Sequence, residues 1–314
     1  MRRHGVPPRE RTRARRDARA RLIACHRHED RMMTVCPQSP QRVLCVTDRE
    51  DRNIDVADDA VSQWFKGTVA RSTVTVDGLD QVSYRPGRPK GPLPRATLLG
   101  RFQSDTLDLS WGEAVSPCDD AVHQRRILFV AGEYWVIEDR LIGARPHRYD
   151  LRFHLTPDAS CHAVAYGGGH PAVWAPGLAL VFGAPHKVAL QHGRVSPRFA
   201  ISESAPIVVV TEDETCDARF ITLAAPLAAG APLPRMRVRT GGQAPVTVIE
   251  IEGRGRQGRD VVAWTTGGDR GPLGIVAGAG RAAVVRTLTD GTCVTWRVDG
   301  DAPSCQTWSP NSRR

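Results

Sequence analysis

Eight cysteines, at positions 25, 36, 45, 118, 161, 216, 293 and 305, occur without a single CxxC spacing. That absence excludes the usual zinc-knuckle and redox-pair patterns and leaves buried free thiols as the expected state. Long apolar runs are missing too. The first 24 residues hold no apolar core of the length a signal peptide needs, despite Arg2 and Arg3, and nothing later spans a membrane. As written, the chain reads as cytoplasmic. No helical pattern longer than two turns follows residue 66, and strands do not alternate with helices, which argues against a parallel α/β fold. No segment repeats at a fixed period.

What is present is a basic tail followed by many short strand patterns. Nine arginines lie between Met1 and Arg21, offset only by Glu10 and Asp17, so +7 of the net +9 sits there and the remainder is close to neutral. Residues 1–24 have too little apolar surface to offset the entropy of ordering and are expected to be a disordered or weakly helical tail. A nucleic-acid-binding arm is one reading of such charge, but no aromatic residue is interleaved for base stacking.

The 29 glycines and 23 prolines signal frequent tight turns, and the 41% apolar content suffices for a sizeable core. Period-two alternation begins at 72–78 (STVTVDG), with Thr73 and Thr75 on one face, Val74 and Val76 on the other, and a turn at the end. Segments 127–130 and 134–137 flank a glycine-containing loop and predict a hairpin. In 148–155 the odd positions Tyr149, Leu151, Phe153 and Leu155 form an apolar face against Arg148, Asp150, Arg152 and His154. Further strands are expected at 178–182, 207–210, 218–223, 246–251, 261–265 and 292–298. The fold class that follows is all-β: one large antiparallel sandwich from residue 25 to residue 314.

Three stretches resemble the C-terminal β-sandwich domain of the heparinase II/III-like polysaccharide lyases. They are 64–81 (WFKGTVARSTVTVDGLDQ), 123–155 (HQRRILFV, Tyr134 and Trp135, Asp139, His147, Tyr149, His154), and 193–197 (GRVSP) with 220–223 (FITL). The resemblance implies a supersandwich-like fold and β-elimination at a uronic acid. That chemistry needs an acid and a base within hydrogen-bond reach of the C5 proton and the leaving oxygen. In the family a helical toroid supplies much of it, and none precedes the sandwich here, so a separately encoded toroid is an implied partner.

By the same resemblance His26, in 26–30 (HRHED), is the catalytic histidine, and His28 and Asp48 are ligands of a structural zinc. The third ligand position carries Arg71, followed by Ser72. A guanidinium has no lone pair to donate and repels a cation, so a closed zinc site survives only if Glu29 or His154 takes that place. Read without the resemblance, His26 and His28 are solvated residues of a basic segment, and His123, His147 and His154 are strand residues with satisfied hydrogen bonds. Tyr134 and Tyr149 fall in core patterns, leaving Tyr84 and Tyr166 as exposed tyrosines.

Arg71 has a second possible use. With Arg85, Arg88 and Lys90 of the 84–90 loop (YRPGRPK) it presents guanidinium and ammonium groups suited to sugar carboxylates, although such loop charges are commonly just solvated. Three functions therefore stand side by side. The chain is the sandwich part of a uronate-polysaccharide lyase, inactive alone or a remnant; or a non-catalytic module binding acidic carbohydrate; or a nucleic-acid binder acting through its tail.

Overall fold

The computed structural model describes residues 59–308 apart from 86–87, 90, 158, 167–169, 197–200, 229, 242–245, 255–256, 268 and 300–302. The expected tail and its boundary with the sandwich lie outside the described residues. Within them, one helix, α1 (Asp59–Lys66), and a 3-10 turn (Thr68–Ala70) precede an all-antiparallel array of strands.

The larger sheet has ten strands: β1 (Val74–Val76), β4 (Arg95–Gln103), β5 (Leu107–Val115), β6 (Val122–Val130), β7 (Tyr134–His154), β8 (His162–Tyr166), β9 (His170–Ala175), β10 (Gly177–Phe182), β11 (Lys187–Val195) and β12 (Glu203–Leu227). Its main order is β4-β5-β6-β7-β12-β10-β9-β8, with β1 added to β7 and β11 to β12. Two short pieces, β2 (Tyr84–Arg85) and β3 (Arg88–Pro89), form a ribbon of their own. The smaller sheet orders six strands as β13 (Arg235–Thr240), β14 (Val246–Arg254), β15 (Gln257–Thr265), β18 (Ala282–Leu288), β19 (Cys293–Val298) and β20 (Pro303–Trp308). Between β15 and β18, β16 (Gly271–Pro272) pairs with β17 (Ala279–Gly280).

The expected strands all appear, but four of them merge. Segments 134–137 and 148–155 belong to the 21-residue β7, and 207–210 and 218–223 to the 25-residue β12. These partners run together along their length, and their register shifts twice, between Glu212, Thr215 and Asp217. Such bulges bend a strand without ending it, so glycine, proline and charge at the bend look like turn signals in the sequence. The bend divides the larger sheet into two halves that face each other.

Alternation along β7 shows the layering. Trp135, Ile137, Tyr149, Leu151 and Phe153 point into a core between the two halves, shared with Val74, Val208, Val210 and Phe220. Tyr134 and Val136 point the other way, into a second core with Ile249, Val262, Trp264 and Val284 of the smaller sheet. The result is a layered sandwich. Each Leu, Val or Phe removed from water contributes about 1.5–3 kcal/mol before entropic costs.

Two polar networks join the sheets across the second core. The Tyr134 hydroxyl donates to Asp260 Oδ2 at 2.7 Å, while Arg286 donates to both Asp260 oxygens and to both Glu133 oxygens at 2.7–3.1 Å. Nearby, Glu138 is held by Arg219 and Arg126, and the Arg126 guanidinium lies 5.4 Å over the Trp264 ring. The four described cysteines are free, as expected, but Cys118, Cys161 and Cys293 are only half-buried and Cys216 is exposed. The expectation of burial fails because these thiols sit on loops and outward strand positions. Among the described residues no helix is long and apolar enough to cross a membrane.

Candidate functional site

The loop 67–73 connects α1 to β1, and each of its backbone turns is fixed from outside. The Gly67 N–H closes the helix on Gln63 and Trp64 carbonyls at 3.1 and 3.0 Å, and Asp80 receives the Thr68 N–H at 2.6 Å. On the other side the Trp64 indole donates to the Arg194 carbonyl at 3.2 Å. Trp64 reaches there because residue 193 is glycine. A Cβ on Gly193 would sit 2.8 Å from the Trp64 ring and 2.2 Å from Ile207 Cδ1.

Residues 72 and 73 are pinned from below. Arg125 Nη1 donates to the Ser72 carbonyl at 2.9 Å, the His154 N–H to Ser72 Oγ at 3.2 Å, and the Arg152 N–H to the Thr73 carbonyl at 3.0 Å. Arg125 is itself set by Asp139, which accepts from Arg125 Nε at 2.6 Å and bonds His123 Nε2 at 2.7 Å. Burial would push the Asp139 carboxyl up, but the Arg125 charge and the His123 bond outweigh it and hold the carboxyl below its ordinary value. The fully buried carboxylate thus anchors the loop through one arginine.

His154 differs from the expectation of satisfied histidines. Its ring is buried, and the Val69 backbone beside it makes no hydrogen bond of normal geometry with either nitrogen. Burial, then the Arg152 and Arg71 charges, hold its pKa down to about 4. Beside it, Arg152 and Thr211 bond Asp150, and Arg152 also reaches Thr75. His147, by contrast, meets the expectation. At the bend its ring lies between Asp77 Oδ2 (2.7 Å) and Asp120 Oδ1 (2.5 Å). The Tyr149 hydroxyl next to it is buried without a partner, and burial with the nearby Asp120 charge pushes its pKa up to about 12.

The model of the heparinase II/III-like C-terminal domain matches residues 53–265 of this chain. The chain belongs to the heparinase II/III-like family. Solved structures similar to it include heparan sulfate lyase HepC from Pedobacter heparinus, at 17% identity and a TM-score of 0.48 over 66% of this chain and 32% of that one. A heparinase III structure has 14% identity and a TM-score of 0.48, covering 66% and 31%. The chain spans about a third of the length of those lyases. No curated protein sequence matches it.

In this heparinase II/III-like sandwich the residues first read as functional are placed unevenly. His26, His28, Glu29, Asp48 and Lys90 lie outside the described residues. Tyr84 and Arg85 fall in β2 and Arg88 in β3, and the Tyr166 backbone ends β8. Arg71 is half-buried at the head of β1, with Nη2 donating to the Phe65 carbonyl at 3.3 Å. Its charge acts on His154, so the structure brings together position 71 and the histidine considered as its substitute. Two positive guanidiniums beside a buried imidazole do not suit a cation. Among the described residues no group of three His, Cys, Asp or Glu side chains is arranged to hold a metal. Position 71 therefore does not fit zinc.

Sequence reasoning missed Arg125, Asp139 and Arg152 as the supports of this loop. The available signal was a charge in an apolar phase: Asp139 falls in step with Trp135, Ile137 and Leu141 on the inward face of β7, where only a paired carboxylate is tolerated.

Proposed function

We propose that this chain is the sandwich part of a polysaccharide lyase that acts by β-elimination on uronic-acid polysaccharide, and that the sandwich alone binds acidic glycan without cleaving it. The observation that carries the reading is the heparinase II/III-like match together with the state of the described acid–base groups. His147, His154, Tyr134 and Tyr149 are all at most 2% exposed. The Tyr149 phenol, with its pKa near 12, keeps its proton at neutral pH, and His123 is bound to Asp139. A general base needs reach to the C5 proton, which these four buried side chains lack. Arg71 is the described residue best suited to a sugar carboxylate near loop 67–73, since a guanidinium bonds carboxylates in pairs.

The test is to incubate the purified chain with several uronate polymers and follow the ultraviolet absorbance of unsaturated uronate, alone and with a helical domain of a related lyase. Titration calorimetry runs in parallel. The expected result is saturable, salt-sensitive binding with no new absorbance from the chain alone. Elimination by the chain alone defeats the claim of dependence, and absence of heat with every polymer defeats the claim of binding. A second reading, a carbohydrate-binding module with no catalytic role, is favoured by Arg71 at the position of a metal ligand. It predicts that no helical partner restores elimination.

A further inference from the structure

The smaller sheet buries one face and leaves part of the other open. Met236, Ile249, Ile251 and Val262 point into the second core. At one end of the outer face, Val246, Ala263 and Ala283 are covered by Leu273 from the segment between β15 and β18. Among the described residues the opposite end carries no such cover, and the alternation of edge strand β13 directs Arg235 and Arg237 outward there and Arg239 outward beside Val248, at the margin of the covered end, all three exposed. They are spaced two residues apart, so the three side chains span about 14 Å of strand. Arg259 of β15 joins them across β14.

The carboxylates on this face only partly neutralise it. Glu250 pairs with Arg239 and with Arg259 at 2.8 Å, and Glu252 lies 4.0 Å from Arg259. Arg235 and Arg237 stand opposite Glu252 and Glu250 in register, and neither forms an ion pair among the described residues. Four guanidiniums against two carboxylates leave the patch at about +2. The row through Arg237 and Glu250 continues over Val261, Val285 and Thr295, which are half-buried.

We propose that this outer face, with Arg235, Arg237 and Arg239 as its charged edge, is a second docking surface for an acidic polysaccharide, separate from loop 67–73. The inference rests on the acidic-glycan reading above and extends it to a surface that has no part in elimination. Guanidiniums repeated along an extended strand match carboxylates repeated along an extended chain, and each bonds its carboxylate in a fork. The half-buried row of Val261, Val285 and Thr295 gives sugar rings a partly apolar surface to lie against. A merely protective role is the competing explanation, because charge on an edge strand discourages strand-to-strand aggregation.

The experiment uses the whole chain and a uronate polymer, with affinity measured over a series of salt concentrations. The variants are the triple change Arg235→Gln, Arg237→Gln, Arg239→Gln, the single change Arg71→Gln, and Glu252→Gln. The triple variant should bind at least tenfold more weakly at low salt, and its slope of log affinity against log salt should fall by about two, on the order of 0.7 per arginine as for single-stranded polyanions. Glu252→Gln removes a competing carboxylate from the same face and should tighten binding two- to fivefold, which keeps the test decisive if the triple variant misfolds. Unchanged affinity in both sets overturns the surface, while a loss confined to Arg71→Gln leaves the acidic-glycan reading standing without it. No binding of any uronate polymer by the unaltered chain overturns both. Equal binding to single-stranded DNA of similar charge density overturns the assignment to polysaccharide.

Discussion

Replacing His154 by leucine should remove most of a specific acid weakness from this protein. The ring is buried with no hydrogen bond of normal geometry, and burial, then the Arg152 charge, hold its pKa down to about 4 from an ordinary 6.5 against the opposing pull of the Val69 backbone. Above pH 6.5 the histidine is neutral in both folded and unfolded chains and contributes nothing to the pH dependence. Between 6.5 and about 4 only the unfolded chain takes up the proton, so stability falls as the pH falls. Below about 4 both states are protonated and the loss levels off. A difference of about 2.5 pH units corresponds to about 3 kcal/mol, at 1.36 kcal/mol per unit. For a domain of this size that is roughly 6–12 °C in melting temperature. At pH 7 the leucine variant should be within about 1 kcal/mol of the parent, because the poorly bonded ring becomes apolar and the Val69 backbone is the polar group it leaves behind. Urea unfolding of both proteins at pH 7, 5.5 and 4 gives the result. Carboxylates that titrate in this range are common to both, so the difference isolates residue 154. Parallel stability curves for the two proteins from pH 7 to pH 4 would refute the account of His154 as a buried, neutral ring.

Other perturbations probe the joints of the fold. Arg286→Ala leaves Asp260 buried without its main counter-charge and should cost about 3–5 kcal/mol in denaturant unfolding, whereas Tyr134→Phe removes one of the bonds to that carboxylate and should cost about 1 kcal/mol. Gly143→Ala at the bend places a Cβ 2.7 Å from His147 and 2.8 Å from the Tyr149 hydroxyl. A loss of about 1–3 kcal/mol with an altered near-ultraviolet tyrosine signal is expected. The Asp77 carboxyl is held below its ordinary 3.8 by the Arg148 N–H and then by His147. Its contribution is present above that value and lost as the pH falls through the lower folded one, so Asp77→Asn should show a shallower acid transition below pH 4 than the parent.

Much of the architecture is determined by sequence alone. The alternation of Tyr149, Leu151, Phe153 and Leu155 against Asp150, Arg152 and His154 fixes the strand and its apolar face, because the side-chain period of an extended chain is two, but not that the polar face is buried as well. Asp77 and Gly78, with φ of 52° and 71°, make the turn that ends β1, as that dipeptide foretells. The family resemblance was likewise readable in 64–81 and 123–155. What the sequence did not determine was continuity and pairing. Bulges hide inside β7 and β12 because an extra residue breaks the period of two without ending the strand, so four expected strands become two bent ones. The supports of Ser72 come from residues 53 and 82 positions away along the chain, and no local pattern reports such distances. Only the tertiary structure set Arg125 between Asp139 and Ser72, and buried His154 beside Arg71 and Arg152, because burial and partnership are properties of what the folded chain brings near and not of the residue itself.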